Sequence, residues 1–96
     1  MDKQHCVYIL ASKRNGTIYT GVTSQLIKRV SEHKSNVVAG FTSKYNVHHL
    51  VWFELAETME AAIHREKKIK NWNREWKINL IEQQNPHWVD LYNDLL

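Results

Sequence analysis

At 96 residues, 43% of them hydrophobic, the chain is long enough for one core and too short for two, and it buries only about 60–65% of its unfolded surface. Its single cysteine excludes an internal disulfide, no apolar run approaches the ~20 residues that span a bilayer, and no stretch has the build of a signal peptide. One soluble, cytoplasmic domain over residues 1–96 is therefore expected, with no membrane partner, and the formal charge of +3 is too modest to name a partner by itself.

Met1 to His5 reads as a polar lead-in, mobile or partly paired. His5 beside Cys6 does not make a zinc site, which needs about four ligands at ordered spacing. Val7 to Ala11 and Thr17 to Val22 are rich in branched and aromatic residues, and Asn15-Gly16 between them supplies the positive-φ pair that hairpin turns favour. If the loop holds an even number of residues, Tyr8 and Tyr19 project from one face of the hairpin, because side-chain direction alternates with period two. A four-residue loop, Lys13 to Gly16, sets Tyr8 opposite Gly21 and Tyr19 opposite Leu10, with the phenols roughly 7–8 Å apart. A three-residue loop sends them to opposite faces. Beyond Thr23 and Ser24, either of which can cap a helix, Leu26, Ile27, Val30, His33 and Val37 recur at spacings of three and four. In that amphipathic helix Arg29 and His33 lie one turn apart on a flank of the apolar stripe, bordering the core.

Ser35 to His48 is interrupted by Gly, Asn and Ser and reads mostly as loop, where Lys44 and Tyr45 suit a phosphate and a base or sugar, or Phe41 and Tyr45 pin the loop to the core. His49 to Ala56, HLVWFELA, is a third strand, apolar on both alternating faces and so suited to a sheet covered by helices on both sides. Thr58 caps a helix from Met59 to about Trp72 in which Met59, Ala62, Ile63, Glu66 and Ile69 share a face. A carboxylate in that stripe needs a partner, and an ion pair to Lys70, one turn on, is the simplest one.

Between His64 and Lys77 six basic residues, Arg65, Lys67, Lys68, Lys70, Arg74 and Lys77, stand against Glu66 and Glu75, with Trp72 and Trp76 among them. That mixture fits a nucleic-acid backbone with some stacking, or a solvated helix face. Asn73 caps a helix from Arg74 to Gln84 with Trp76 and Leu80 along one face and Ile78 and Ile81 adjoining it. Pro86 suits the first turn of a short terminal helix whose Trp88, Leu91, Tyr92 and Leu95 make core or dimer contacts. The expected fold is α+β, a three-stranded, mostly antiparallel sheet flanked by helices.

The segment CVYILASKRNGTIYTGVTSQLIKRVSEH resembles the GIY-YIG nuclease superfamily, whose name-giving tripeptides sit on such a hairpin and here read Cys6-Val7-Tyr8 and Tyr19-Thr20-Gly21. The match extends to Arg29, His33 and Glu66, and with the ending LIEQQNPHWVDL the whole chain resembles the small stand-alone bacterial members. Cys6, Val7 and Thr20 depart from the pattern at positions that bear on packing. The resemblance implies a metal-dependent endonuclease acting on nucleic acid, DNA above all, in repair or recombination. It makes Glu66 the ligand of one Mg²⁺ or Mn²⁺ ion, a hard cation that keeps several waters. Arg29 then forks onto non-bridging phosphate oxygens. Tyr19 is the first choice to accept the water's proton, with His33 as onward acceptor or as the base itself, and Tyr8 orients the phosphate or the water. Lys44, Arg65, Lys67, Lys68, Lys70 and Arg74 are the candidate phosphate contacts. The family's asparagine downstream of the glutamate matches either Asn79 or Asn85. Two other readings compete: a noncatalytic nucleic-acid-binding module of the same fold, and a scaffold whose Trp-rich C-terminus docks a protein.

Overall fold

A computed structural model describes residues 4–36 and 40–96. The first three residues of the expected lead-in, and Val37 at the end of the expected helical stripe, lie outside the described residues. Three strands, β1 (Cys6–Ala11), β2 (Ile18–Thr23) and β3 (His49–Leu55), form one antiparallel sheet in the order β2-β1-β3. Among the described residues four helices accompany it: α1 (Leu26–Lys34), the single turn α2 (Phe41–Lys44), α3 (Met59–Asn71) and α4 (Arg74–Gln84); a 3-10 helix, Leu91–Leu95, follows near the C-terminus. No helix among the described residues is long and apolar enough to cross a membrane.

The hairpin adopts the four-residue loop. Lys13 O accepts from Gly16 N–H and Ser12 N–H donates to Thr17 O, both at 2.9 Å, and Tyr8 pairs with Gly21 and Leu10 with Tyr19. Within the turn, only Asn15 takes a positive φ, 58°. Gly16 is needed for room, since a Cβ there would collide with Ser12 Oγ and lie 2.8 Å from Lys13 Cγ.

Central strand β1 is buried along its whole length, as its apolar sequence and two paired edges require. Val7, Ile9 and Ala11 face Ala62 and Ile69 of α3, Ile81 of α4 and Trp88. Tyr8 and Leu10 face Val30 of α1, Val47, and the half-buried Leu91, Tyr92 and Leu95 of the 3-10 helix. Both sheet faces are thus covered, as the apolar β3 anticipates. A bulge opposite Ile9–Leu10 leaves Val51 as the extra residue of β3, so Val51 and Trp52 both turn to the α3 face while Leu50 turns to the α1 face.

α1 carries no side-chain cap: Gln25 precedes it, and the Thr23 hydroxyl accepts from Gln25 N–H at 3.0 Å instead. Thr58 and Asn73 cap α3 and α4 as expected, accepting from Ala61 N–H and Trp76 N–H. In α4 the buried side is that of Ile81, and Trp76 is 57% exposed. Pro86 does not open a helix. The chain turns there, Trp88 takes φ 57°, and Asp90 caps the 3-10 helix through Tyr92 N–H while also accepting from Leu50 N–H and Lys34 Nζ.

Candidate active site

The site begins with a buried phenol. Tyr8 is 1% exposed, and its ring lies over Gly21 across the hairpin so closely that a Cβ on Gly21 would sit 2.6 Å from both Cζ and the phenol oxygen. Tyr19, half-buried on the edge strand, shares the face, its ring centroid 6.3 Å from that of Tyr8. Gly21→Ala is therefore expected to push Tyr8 off its seat, lowering stability by roughly 1–3 kcal/mol as overpacking does. Thermal unfolding measures the loss, and a shift of the His33 ring ¹⁵N resonances reports the broken contact described next.

His33 is 1% exposed, deeper than a border position, and its imidazole lies between two hydroxyls: Nε2 is 3.2 Å from the Tyr8 phenol and Nδ1 is 2.9 Å from Thr42 Oγ1. Burial lowers its pKa from the usual histidine value and Arg29 lowers it further, so the ring is neutral at neutral pH, with one donor and one acceptor nitrogen. Burial pushes the Tyr8 phenol up to about 12, with the neighbouring Arg29 guanidinium pulling against it, so Tyr8 holds its proton. Of the two groups beside that phenol, the Arg29 guanidinium can only donate to it, so His33 Nε2 is the one that can accept its proton. The arrangement that satisfies every group has Tyr8 donating to Nε2 and Nδ1–H donating to Thr42. Thr42 escaped the sequence reading because nothing before folding shows that the turn after Gly40 returns its hydroxyl to α1.

Arg29 lies at the surface beside this chain, its side chain 38% exposed and 3.5 Å from Glu32. The Tyr8 hydroxyl beside it raises its already high pKa, burial works against that and Glu32 adds to the rise, so it stays a cation. Glu66 comes from α3, which lies across β1 and β2. Between the buried Ala62 and Ile69, its side chain is 14% exposed, and Lys70 Nζ stands 3.4 Å from its carboxylate and 5.8 Å from the Tyr19 ring centroid. The anticipated Glu66–Lys70 pair thus exists, and its cation connects the carboxylate to Tyr19. Among the described residues no group of three or more His, Cys, Asp and Glu side chains gathers. A lone, partly shielded carboxylate does not suit a closed zinc cage; it does suit a hard divalent cation that keeps water and phosphate oxygens as its other ligands.

The basic segment divides. Arg65 forks onto Glu54 at 3.2 and 3.3 Å and lies over Trp72, and Arg74 donates to the Asn15 and Gly16 carbonyls at 2.7 and 2.6 Å, pinning the hairpin turn. Lys44, Lys67, Lys68 and Lys70 are exposed. Asn85 is buried and structural, its amide donating to Val51 O and Val89 O, and Asn79 is exposed. The Cys6 thiol is buried and pushed up to about 11, hence unreactive.

The family model for the GIY-YIG catalytic domain matches residues 4–79. The UPF0213 protein of Haloquadratum walsbyi is 37% identical over 83 residues, which cover 86% of this chain and 92% of that one. The UPF0213 protein of Staphylococcus saprophyticus is 35% identical over 83 residues, 86% of this chain and 99% of that one. The solution NMR structure of the UPF0213 protein of Bacillus halodurans superimposes with a TM-score of 0.54 at 29% identity, covering 85% of this chain and 86% of that one.

Proposed function

The chain belongs to the GIY-YIG family, and on that premise we propose that it is a divalent-metal-dependent endonuclease that hydrolyses phosphodiester bonds of DNA. The observation that carries this reading is the packing of Tyr8, Tyr19 and His33 within 6.3 Å of one another, centroid to centroid, on the sheet face beside Arg29, with Glu66 linked to Tyr19 through Lys70.

Of the two phenols, Tyr19 is the one that reaches the surface, so Tyr19, reacting as its phenolate, takes the proton of the attacking water and ends the step as the neutral phenol. Arg29 gives its guanidinium to non-bridging oxygens, where negative charge grows in the transition state. Tyr8, His33 and Thr42 form a buried hydrogen-bonded row beneath Tyr19 and beside Arg29, and they hold that surface in place. Glu66 would hold one Mg²⁺ or Mn²⁺ ion, which when bound stabilises the leaving 3′-oxygen. Lys70, 48% exposed, can swing from Glu66 toward solvent or phosphate at little cost. Lys67 and Lys68 extend the cationic surface.

The Glu66–Lys70 pair is also what favours the second reading, a nucleic-acid-binding module without turnover, since an ion-paired carboxylate needs no metal. Labelled single-stranded, duplex and branched DNA incubated with Mg²⁺, Mn²⁺ or EDTA separates the two. Cleavage of at least one substrate with metal, and none with EDTA, is the expected result; binding without cleavage under every condition selects the module.

A further inference from the structure

We propose that Phe41 and Tyr45 continue the surface of Tyr19 outward as a stacking platform for unpaired nucleobases next to the phosphate that is cut. This rests on the nuclease reading above and names its substrate class: a strand whose bases are free at the site.

The rings run in a row. Tyr19 and Phe41 have centroids 6.3 Å apart and planes inclined by 30°, and Phe41 and Tyr45 follow at 4.9 Å. Exposure rises along it, from the half-buried Tyr19 to 47% for Phe41 and 46% for Tyr45. Single exposed aromatics are ordinary on a protein surface. Here two stand one helical turn apart, and the loop does not use them to anchor itself. Among the described residues its buried anchors are Thr42 and Val47, and Thr42 is the residue bonded to His33. The turn that carries the platform is thereby fixed to the floor of the site.

Charge selects the occupant. Lys44 Nζ lies 5.4 Å from the Tyr45 ring centroid at the outer end of the row, and Lys70 Nζ lies 5.8 Å from that of Tyr19 at the inner end. Flat apolar faces bracketed by cations match a polyanion with exposed π-faces. A duplex keeps those faces stacked on each other, whereas an unpaired strand offers them to the protein.

The test is binding of the intact chain in EDTA to a short fluorescent single-stranded DNA, to an abasic strand of the same length and charge, and to a blunt duplex. Phe41→Ala and Tyr45→Ala are each expected to weaken single-strand binding about tenfold and to change duplex binding little, and Phe41→Trp should retain it. Wild type should bind the abasic strand at least as weakly as either alanine variant binds the base-bearing one. Alanine variants that bind like wild type, or equal wild-type affinity for base-bearing and abasic strands, overturn the proposal. Melting curves check that both variants remain folded. Because the measurement needs no turnover, base-dependent losses in a protein that cuts nothing with metal sink the nuclease and keep the platform. Metal-dependent cutting with unaltered variant binding does the opposite.

Discussion

Glu66→Gln is expected to lower metal-dependent cleavage by about a thousandfold or more while the fold and DNA affinity survive. The shape is preserved, so Ala62 and Ile69 on either side keep their packing. What the folded chain loses is an i,i+4 ion pair whose lysine is 48% exposed, a contact contributing at most about 0.5 kcal/mol. Unfolding should therefore barely move. The catalytic loss has a different scale, because a cation no longer held at the leaving oxygen removes about 4 kcal/mol or more of barrier lowering, at 1.36 kcal/mol per factor of ten. DNA affinity should hold or rise, since one negative charge near phosphate is gone. Rates at saturating Mg²⁺ compared with a melting curve decide the matter. Slightly reduced stability with cleavage intact would make Glu66 no more than the partner of Lys70.

That Glu66 lies in a buried stripe was legible from periodicity, because Ala62, Glu66 and Ile69 are spaced by four and three in a helix with a strong cap. The hairpin was legible for a similar reason: a four-residue turn and alternation together fix which residues face which, and the observed pairs Tyr8–Gly21 and Leu10–Tyr19 follow. Features that depend on contacts distant in sequence were not legible. The bulge that turns Val51 and Trp52 to one face answers to packing against α3 and α4, and β3 as a string of apolar residues reads the same with or without it. Which side of α4 would be buried was not legible either: Trp76 and Leu80 on one face and Ile78 and Ile81 beside it left the choice open, and packing gives the buried place to Ile81 while Trp76 lies edge-on to Trp72 at the surface. The bonds from Arg74 to the hairpin carbonyls 58 and 59 residues away in sequence were not legible, because local composition is blind to them. The separation of the two tyrosines into a surface phenol and a buried one likewise required the helices to close over the sheet.

From that separation comes the last expected result: Tyr19→Phe and Tyr8→Phe should fail differently. Tyr19→Phe removes the surface hydroxyl and should slow cleavage roughly a hundred- to ten-thousandfold at every pH, as loss of a general base does, with stability nearly unchanged. Tyr8→Phe removes the donor to His33 Nε2 and leaves a buried acceptor unsatisfied, at a cost of about 1–3 kcal/mol in stability. Its effect on rate should be smaller and should depend on pH. The His33 pKa in the folded chain lies below its ordinary 6.5, so the unfolded chain takes up the proton first. The stability this provides is complete above pH 6.5 and declines as pH falls from there toward the folded value. Cleavage should decline in the same window, as a charged imidazole disrupts the row from Thr42 to Tyr8. Without the Tyr8 hydroxyl, Nε2 is freer to protonate, so the acid limb of the cleavage curve should move to higher pH, while the stability curve should still begin to fall at pH 6.5 but level off sooner and lose less. Tyr19→Phe should leave the position of that limb in the stability curve where it was. The reverse pattern, with Tyr8→Phe inactive at all pH and Tyr19→Phe still cutting, would move the reacting phenol to Tyr8 and make His33 the acceptor of its proton.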